Sequence, residues 1–398
     1  MSRLATSWLV YRLTGSAVLL GVTGFASQIP AFFLAPFAGV WIDRMDRHRA
    51  LIVTQVLSMV QSLALAGLVF AGWINIWWIL SLSLFQGLIN AFDMPIRQSF
   101  LVEMIEDRAD LSNAIALNSS MVNGARLLGP AIAGAVIAAV GEGACFLIDG
   151  ISYTAVIASL LAMRIVPRDL PLKSQAVLAD LAEGWRYVTT SIPIRAILLL
   201  LGLGSLIGMP FSVLMPIMAG KVLQGGPHTL GLLMGASGVG ALISAISLAL
   251  KRSVIGLARR TAYASGLFGL GLILFGVSRS LPLSMLVVAI AGFGMMQQLA
   301  ASNTILQTIV SDDKRGRLMS FYTLAVFGIT PFGSLLAGSL ADRIGAPATL
   351  IACGIAGLLG ALYFFSKLGL IRQEIRPIYV QLGILPELAT AAPAPHEH

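Results

Sequence analysis

Long runs of this chain contain no aspartate, glutamate, lysine or arginine: residues 13–42, 51–92, 196–220, 222–250, 261–278, 280–311, 318–341 and 344–366. A helix rises 1.5 Å per residue, so about 20 apolar residues cross a hydrocarbon core of roughly 30 Å. Runs of that length, repeated along 398 residues, leave one fold class, an all-α multi-pass membrane protein. Only 11 % of the residues are charged, against about 25 % in ordinary soluble domains, which excludes both a water-soluble globule and a disordered chain.

Eleven spans are legible, at 17–41, 50–71, 76–98, 113–140, 143–165, 194–219, 230–250, 262–277, 281–305, 321–341 and 347–365. Residues 1–15 precede them as a partial span of about 22 Å, too short to cross upright. The expectation is a native start upstream of Met1 or a poorly seated first helix. No basic segment leads into a cleavage site, so no signal peptide is expected. Basic residues then choose the orientation. Arg44, Arg47, Arg49, Arg97, Arg108, Arg164, Arg168, Lys251, Arg252, Arg259, Lys314, Arg315, Arg317, Lys367 and Arg372 share one set of loops, while the alternate loops hold only Arg12, Lys221, Arg279 and Arg343. The first set is expected in the cytoplasm, with the C-terminus beside it, in a plasma (inner) membrane. Trp73, Trp77 and Trp78 fit an aromatic belt at the other interface.

The organisation expected is a six-helix bundle over 1–166 with helix 1 incomplete, a cytoplasmic linker over 167–193, a second six-helix bundle over 194–366 and a cytoplasmic tail over 367–398. In the linker, Val177, Leu178, Leu181, Trp185 and Val188 fall at helical spacing, which predicts an amphipathic helix. An internal echo supports the two halves. A charged loop leads to Leu117-Asn118-Ser119 and then Gly129-Pro130; another leads to Leu318-Met319-Ser320 and then Thr330-Pro331, with the same serine-to-proline spacing. Proline-interrupted helices at matching repeat positions mark the cavity-lining elements of transporters.

The sharpest local motif is Gly39-Val-Trp-Ile-Asp43-Arg44-Met-Asp46-Arg47-His-Arg49, between helices 2 and 3. It resembles the loop motif of the major facilitator superfamily through Gly39, Asp43, Arg44 and Arg47, and it departs from that pattern at Asp46, where glycine is the rule. Physically, Asp43 can face a helix N-terminus and the arginines can bind Asp43 or lipid phosphates. Further stretches, among them residues 8–16, 30–39, 113–134, 302–307, 315–320, 331–345 and 375–386, are similar to the drug- and siderophore-exporting branch of that superfamily, the group that includes the enterobactin exporter. The resemblance implies the major facilitator fold, two six-helix bundles around a central cavity, worked by alternating access. Gly124, Gly129, Pro130 and Gly134 on helix 5 are similar to the Gly-Pro signature of antiporters. On helix 4, Ser83 stands where the family pattern has an arginine, so that arginine's coupling role does not carry over. Residues 338–345 copy the loop motif's spelling but fall at the non-basic end of helix 11, and read as a helix end.

Ionisable residues at depth are few, and such residues face a cavity or a partner. Arg126 at mid-helix 5 is the candidate for cargo binding, with Asn123, Gln86, Asn90, Gln298 and Asn303 as uncharged cavity candidates. Asp149 and Asp93 are the candidates for proton coupling, although a structural pairing suits Asp149 as well. Arg97 sits one turn from Asp93 and pairs with it or with Asp43; it joins Gly39, Asp43, Arg44 and Arg47 as the expected cytoplasmic gate. Gly129, Pro130 and Pro331 are the expected helix kinks. Two cysteines, Cys145 and Cys353, and four histidines make neither a disulfide framework nor a metal motif, so no cofactor and no metal are expected. The net charge of +8 comes without a basic stripe interleaved with aromatics, so nucleic acid is not an expected partner. The expectation is a monomer in the lipid bilayer, not an enzyme: a secondary active exporter of a small amphipathic molecule, with protons as the coupling partner. A lipid flippase of the same fold and a non-transporting scaffold remain the alternatives.

Overall fold

The computed structural model describes residues 1–34, 45–104, 110–163, 186–251, 253–311 and 314–385, with only the backbone described at a few helical positions (102, 103, 111, 112, 115, 116, 119, 120, 123, 126, 127 and 209), Asn123 and Arg126 among them. Among these residues twelve helices run up and down, in ten stretches long and apolar enough to cross a membrane; the 13-residue first helix is not one of those stretches, and the fifth and sixth share one. They are α1 (Ser2–Thr14), α2 (Ala17–Leu34, with a turn at Ser27-Gln28), α3 (Arg47–Phe70) and α4 (Ile76–Glu103), followed by Leu111–Ala162. Gly141, with φ 82° and ψ 174°, breaks that last stretch into α5 and α6; only glycine takes such a conformation without strain. The second half holds α7 (Ile192–Ile217, prolonged by a π-helical turn Met218–Val222), α8 (Pro227–Ala249), α9 (Leu257–Val277) and α10 (Leu281–Ile309). It ends with α11 (Arg315–Thr323, a π-helical turn Leu324–Gly328, then Thr330–Ile344) and α12 (Ala346–Ser366).

Local chemistry sets the helix starts. Asp46 is the N-cap of α3: its Oδ1 accepts from the Arg49 amide at 3.1 Å and its Oδ2 pairs with Arg49 Nε at 3.2 Å. The departure from glycine in the loop motif thus has a use. Asn75 caps α4 by accepting from the Trp78 amide, and Ser16 caps α2 by accepting from the Leu19 amide. The look-alike at 338–345 is a helix end, since α11 stops at Ile344 and Gly345 turns the chain at φ 83°.

A thirteenth helix, α13 (Leu368–Gln381), occupies the first part of the expected tail. It is not a span. Leu368, Ile371, Ile375 and Tyr379 form its buried face and join the core of the second half. The expected amphipathic linker helix falls mostly outside the described residues; the chain is helical again at 186–190, with Val188 buried.

The up-and-down topology puts Arg47, Arg97, Arg195, Lys251, Arg259, Lys314 and Lys367 at one end, called the basic end below. At the far end a single hydrophobic core unites both halves, running through Trp8, Leu20, Ile137 and Phe146 of the first and Phe211, Met218, Leu230 and Ala337 of the second. At the basic end the core divides. Leu51, Ile96, Phe100 and Leu160 form one cluster in the first half, and Ile197, Leu201, Ile305, Leu318 and Phe364 belong to another in the second. Among the described residues, the molecule is joined at the far end and split at the basic end.

Candidate functional site

Three helix pairs close the far end, and each does so through small residues. On α5 and α8, a Cβ added at Gly134 would lie 2.7 Å from the Pro227 carbonyl oxygen, and one at Gly231 would lie 2.8 Å from that of Pro130. On α2 and α11, a Cβ at Gly338 would lie 2.6 Å from the Ala17 carbonyl oxygen. The Tyr11 ring of α1 occupies the place a side chain at Gly220 would take in the π-helical turn of α7. Backbones approach this closely only where side chains are absent. Contact between α2 and α11 continues inward through Gln28, whose Nε2 donates to Ser334 Oγ at 3.4 Å, and through the crossed rings of Phe32 and Phe332, 5.6 Å apart.

One ion pair reinforces this end. Glu142, in the turn after Gly141, is buried, and Arg12 Nε reaches its Oε1 at 2.7 Å. The pair ties the end of α1 to the junction of α5 and α6. Glu142 reads in the sequence as a loop residue, and only the fold shows its burial.

The first half carries the polar chemistry. The buried face of α3 displays Thr54, Gln55, Ser58, Gln61 and Ser62, at a spacing that places them along one stripe. Two carboxylates from other helices meet this stripe. Asp93 of α4 accepts from Thr54 Oγ1 at 2.8 Å and Gln55 Nε2 at 2.6 Å, and Arg97 Nη2 donates to its other oxygen at 3.0 Å. Asp149 of α6 accepts from Ser2 Oγ at 2.7 Å and Ser62 Oγ at 3.1 Å, with the Met1 ammonium 3.8 Å away. Between them, Ser58 accepts from Gln86 Nε2 at 3.4 Å. Gln86 also donates to Asn90 Oδ1 at 3.2 Å. Buried polar groups in a membrane protein must find such partners, because hydrocarbon offers none.

In the second half the amides serve packing. Gln298 is buried and donates to the Leu200 carbonyl of α7 at 3.0 Å, so in this structure it holds α7 to α10 and does not line open space. Ser244 donates to Gln297 Oε1 at 3.0 Å. Asn303 accepts from Gln307 on its own helix at 3.0 Å. Pro331 is buried in the first turn after the π-helical stretch of α11, whereas Gly129 and Pro130 sit within the helical limb α5. Gly39, Asp43 and Arg44 lie outside the described residues; Arg47 opens α3. Of Arg126 and Asn123 only the place on α5 is described. A cavity of about 400 Å³ lies at the basic end within the second half, lined by Ala245, Leu248, Lys251, Leu257, Ala300 and Thr304 among others. Burial, and then the charge of Arg260, push Lys251 below the usual lysine range.

The family described as "Transmembrane secretion effector" matches residues 1–376. The staphyloferrin A transporter of Staphylococcus aureus is 26 % identical over 378 residues, covering 92 % of this chain and 91 % of that one. The multidrug efflux pump Tap of Mycobacterium tuberculosis is 28 % identical over 373 residues, covering 89 % and 86 %. Among solved structures, the nucleoside transporter NupG superposes with a TM-score of 0.72 at 12 % identity, covering 92 % of this chain and 95 % of that one. A bacterial homologue of the iron transporter ferroportin gives a TM-score of 0.66 at 17 % identity, covering 92 % and 96 %. At these identities the structures share the fold alone. The family match, which leaves only the last residues of the chain uncovered, shows that this multi-pass membrane protein belongs to the transmembrane secretion effector family of major facilitator transporters and is not an enzyme.

Proposed function

We propose that the protein exports a small amphipathic molecule, of the siderophore or drug class, across a bacterial plasma membrane by alternating access, driven by the inward flow of protons. The observation that carries this reading is the division of the core: one cluster across both halves at the far end, separate clusters at the basic end. A body clamped at one end and split at the other is one limb of a two-state cycle, open between the halves toward the basic end. The positive-inside rule puts that end, and the C-terminus, in the cytoplasm. Staphyloferrin A transport and multidrug efflux in the relatives support the cargo class.

Within this reading Arg126 holds an anionic or carbonyl-rich cargo. It lies on α5, the helix that meets α8 across the halves through Gly134, and four residues before Pro130, whose missing amide leaves the Arg126 carbonyl without its helical donor. Gln86 and Asn90 border the same half's polar stripe and extend the cargo surface with Asn123 and Asn303, while Asp149 and Asp93 carry protons. The loop around Gly39, Asp43, Arg44 and Arg47, with Arg97, latches the basic end when the cavity faces outward. The protein works as a monomer in the bilayer.

Proteoliposomes with a pH gradient test the proposal, with erythromycin and staphyloferrin A as probes. An acid lumen should drive probe accumulation in inside-out vesicles, and nigericin should abolish it. Accumulation indifferent to the gradient would overturn proton coupling; no movement of either probe, with scrambling of a fluorescent phospholipid instead, would establish the flippase.

A further inference from the structure

The cavity at the basic end of the second half has an apolar floor and a cationic rim. Ala245, Leu248 and Ala249 of α8 and Ala300 of α10 make the floor; Lys251 and Ser253, in the turn that leads into α9, make the rim. The floor belongs to the apolar span of α8, which ends at Ala249, and the rim follows directly on that end. The cavity is therefore apolar toward the hydrocarbon and charged toward the membrane surface.

The positive charge at the rim has no answer in its surroundings. Lys251 folds back over the turn: its Nζ donates to the Ile255 carbonyl at 2.6 Å and lies 3.7 Å from where a Cβ on Gly256 would stand. Gly256 is the N-cap of α9, and its carbonyl accepts from the Arg260 amide at 3.1 Å, so Lys251 and Arg260 flank one helical turn. Arg260 also lies one turn beyond Leu257, which lines the cavity. That first turn has no side-chain cap and no acid. It carries Arg259 and Arg260 instead, although a helix N-terminus is itself positive and favours acids. Arg259 is committed to Tyr263, whose phenol accepts from its Nε at 3.0 Å and its Nη2 at 2.9 Å. Lys251 spends one of three ammonium donors on Ile255, and Arg260 Nη1 is buried with no partner. None of the ion pairs among the described residues includes Lys251, Arg259 or Arg260. A loop made basic only to fix topology gains nothing from a buried, unmade guanidinium donor, which is costly.

From this geometry we infer that the cavity binds one anionic phospholipid of the leaflet at the basic end, its phosphate at Lys251, Arg260 and the uncapped first turn of α9, and an acyl chain along Ala245, Leu248 and Ala300. The two halves of the argument select the occupant together. The unanswered cations and the positive helix end call for an anion. The apolar floor calls for hydrocarbon, which a soluble phosphate does not bring. Basic pockets between membrane helices take anionic headgroups in this way. The bound lipid would join the ends of α8 and α10 to the start of α9, and would supply from outside the chain the acid that this helix start lacks. This site is separate from the candidate cargo and proton residues and does not depend on the coupled-export reading.

Native mass spectrometry of the full chain, stripped of lipid in detergent, tests the site with dioleoylphosphatidylglycerol and dioleoylphosphatidylcholine as probes. The first bound phosphatidylglycerol should be held at least tenfold more tightly than phosphatidylcholine. Lys251→Gln should remove most of that preference, whereas Arg376→Gln, an exposed cation on α13 at the same end, should keep it. Glycerol 1-phosphate, the headgroup without its chains, should fail to displace the lipid. In the unaltered protein, phosphatidylglycerol carrying a diazirine on its acyl chain should label residues 245–257 or 300–304, a readout that needs no variant to fold. Equal retention of the two lipids, an unchanged preference in Lys251→Gln, or labelling confined to other segments overturns the inference. Displacement by glycerol 1-phosphate overturns it too, because the site would then take free phosphate esters and not a lipid.

Discussion

The closest approach of α5 to α8 offers a direct handle on the conformational equilibrium. A Cβ at Gly231 would stand 2.8 Å from the Pro130 carbonyl oxygen and 3.0 Å from Gly134 Cα, where ordinary contacts need about 3.4–4 Å. Gly231→Ala must therefore part the two backbones by roughly half an ångström to one ångström, and overpacking of this kind costs about 1–3 kcal/mol. Alanine also strengthens α8 as a helix, but by the same amount in every conformation, so that gain cancels. The cost falls on the state in which the far ends touch. At about 1.4 kcal/mol per factor of ten, the balance moves roughly 5- to 150-fold toward the state with separated far ends. Spin labels at Trp73→Cys and Leu283→Cys, both exposed at the far end of opposite halves, report the change as a pulsed-resonance distance distribution; Cys145 and Cys353 are buried. Gly231→Ala should add a longer-distance population and Gly231→Leu should make it dominant. An unaltered distribution in a folded Gly231→Leu protein would refute the idea that this contact belongs to one state only.

Three further outcomes are expected. Arg12→Ala leaves the buried Glu142 carboxylate without its cation; because Arg12 is half exposed, the loss should be about 1–2 kcal/mol, seen as a lower melting temperature that adding Glu142→Gln restores. Asp46→Ala removes the N-cap of α3 and should cost about 1 kcal/mol by the same assay, while Asp46→Asn keeps the cap and should cost little; equal losses would move the effect to the Arg49 ion pair. Arg126→Ala should abolish probe export and Arg126→Lys reduce it in part, since lysine keeps the charge but not the forked geometry. Native export by a normally inserted Arg126→Ala protein would make Arg126 structural.

The number and order of the membrane helices are legible because charge is costly in hydrocarbon, so most spans leave a charge-free run, and α5 and α6 are interrupted only by a few ionisable residues, Arg126 and Asp149 among them. Even the break between α5 and α6 shows, as Gly141 beside Glu142. The helix α13 is less visible. Its apolar face, Leu368, Ile371, Ile375 and Tyr379, has helical spacing, yet it follows the last span and contains Pro377, and so reads as a tail. The polar stripe of α3 is hidden for a different reason. Serine, threonine and glutamine do not interrupt a hydropathic run, and nothing local ties Ser62 to Asp149, 87 residues on in sequence. Gln298 reads as a cavity residue because isolated membrane amides invite that role; the carbonyl it binds, that of Leu200, comes into reach only when α7 packs on α10. Partners from distant helices decide function, and a linear pattern does not contain them.

Joined at its far end and split at its basic end, the body formed by the described residues is a wedge, and the lipid around it senses a wedge as shape. On the alternating-access reading proposed above, this conformation claims more area in the leaflet at the basic end than in the other, and the opposite conformation reverses the sign. The lateral pressure of each leaflet then does work on the transition, so lipids with small headgroups, which crowd the acyl chains and relieve the polar surface, weigh one conformation against the other without touching any residue of the transport path. The composition of the membrane becomes a control on the cycle through geometry alone.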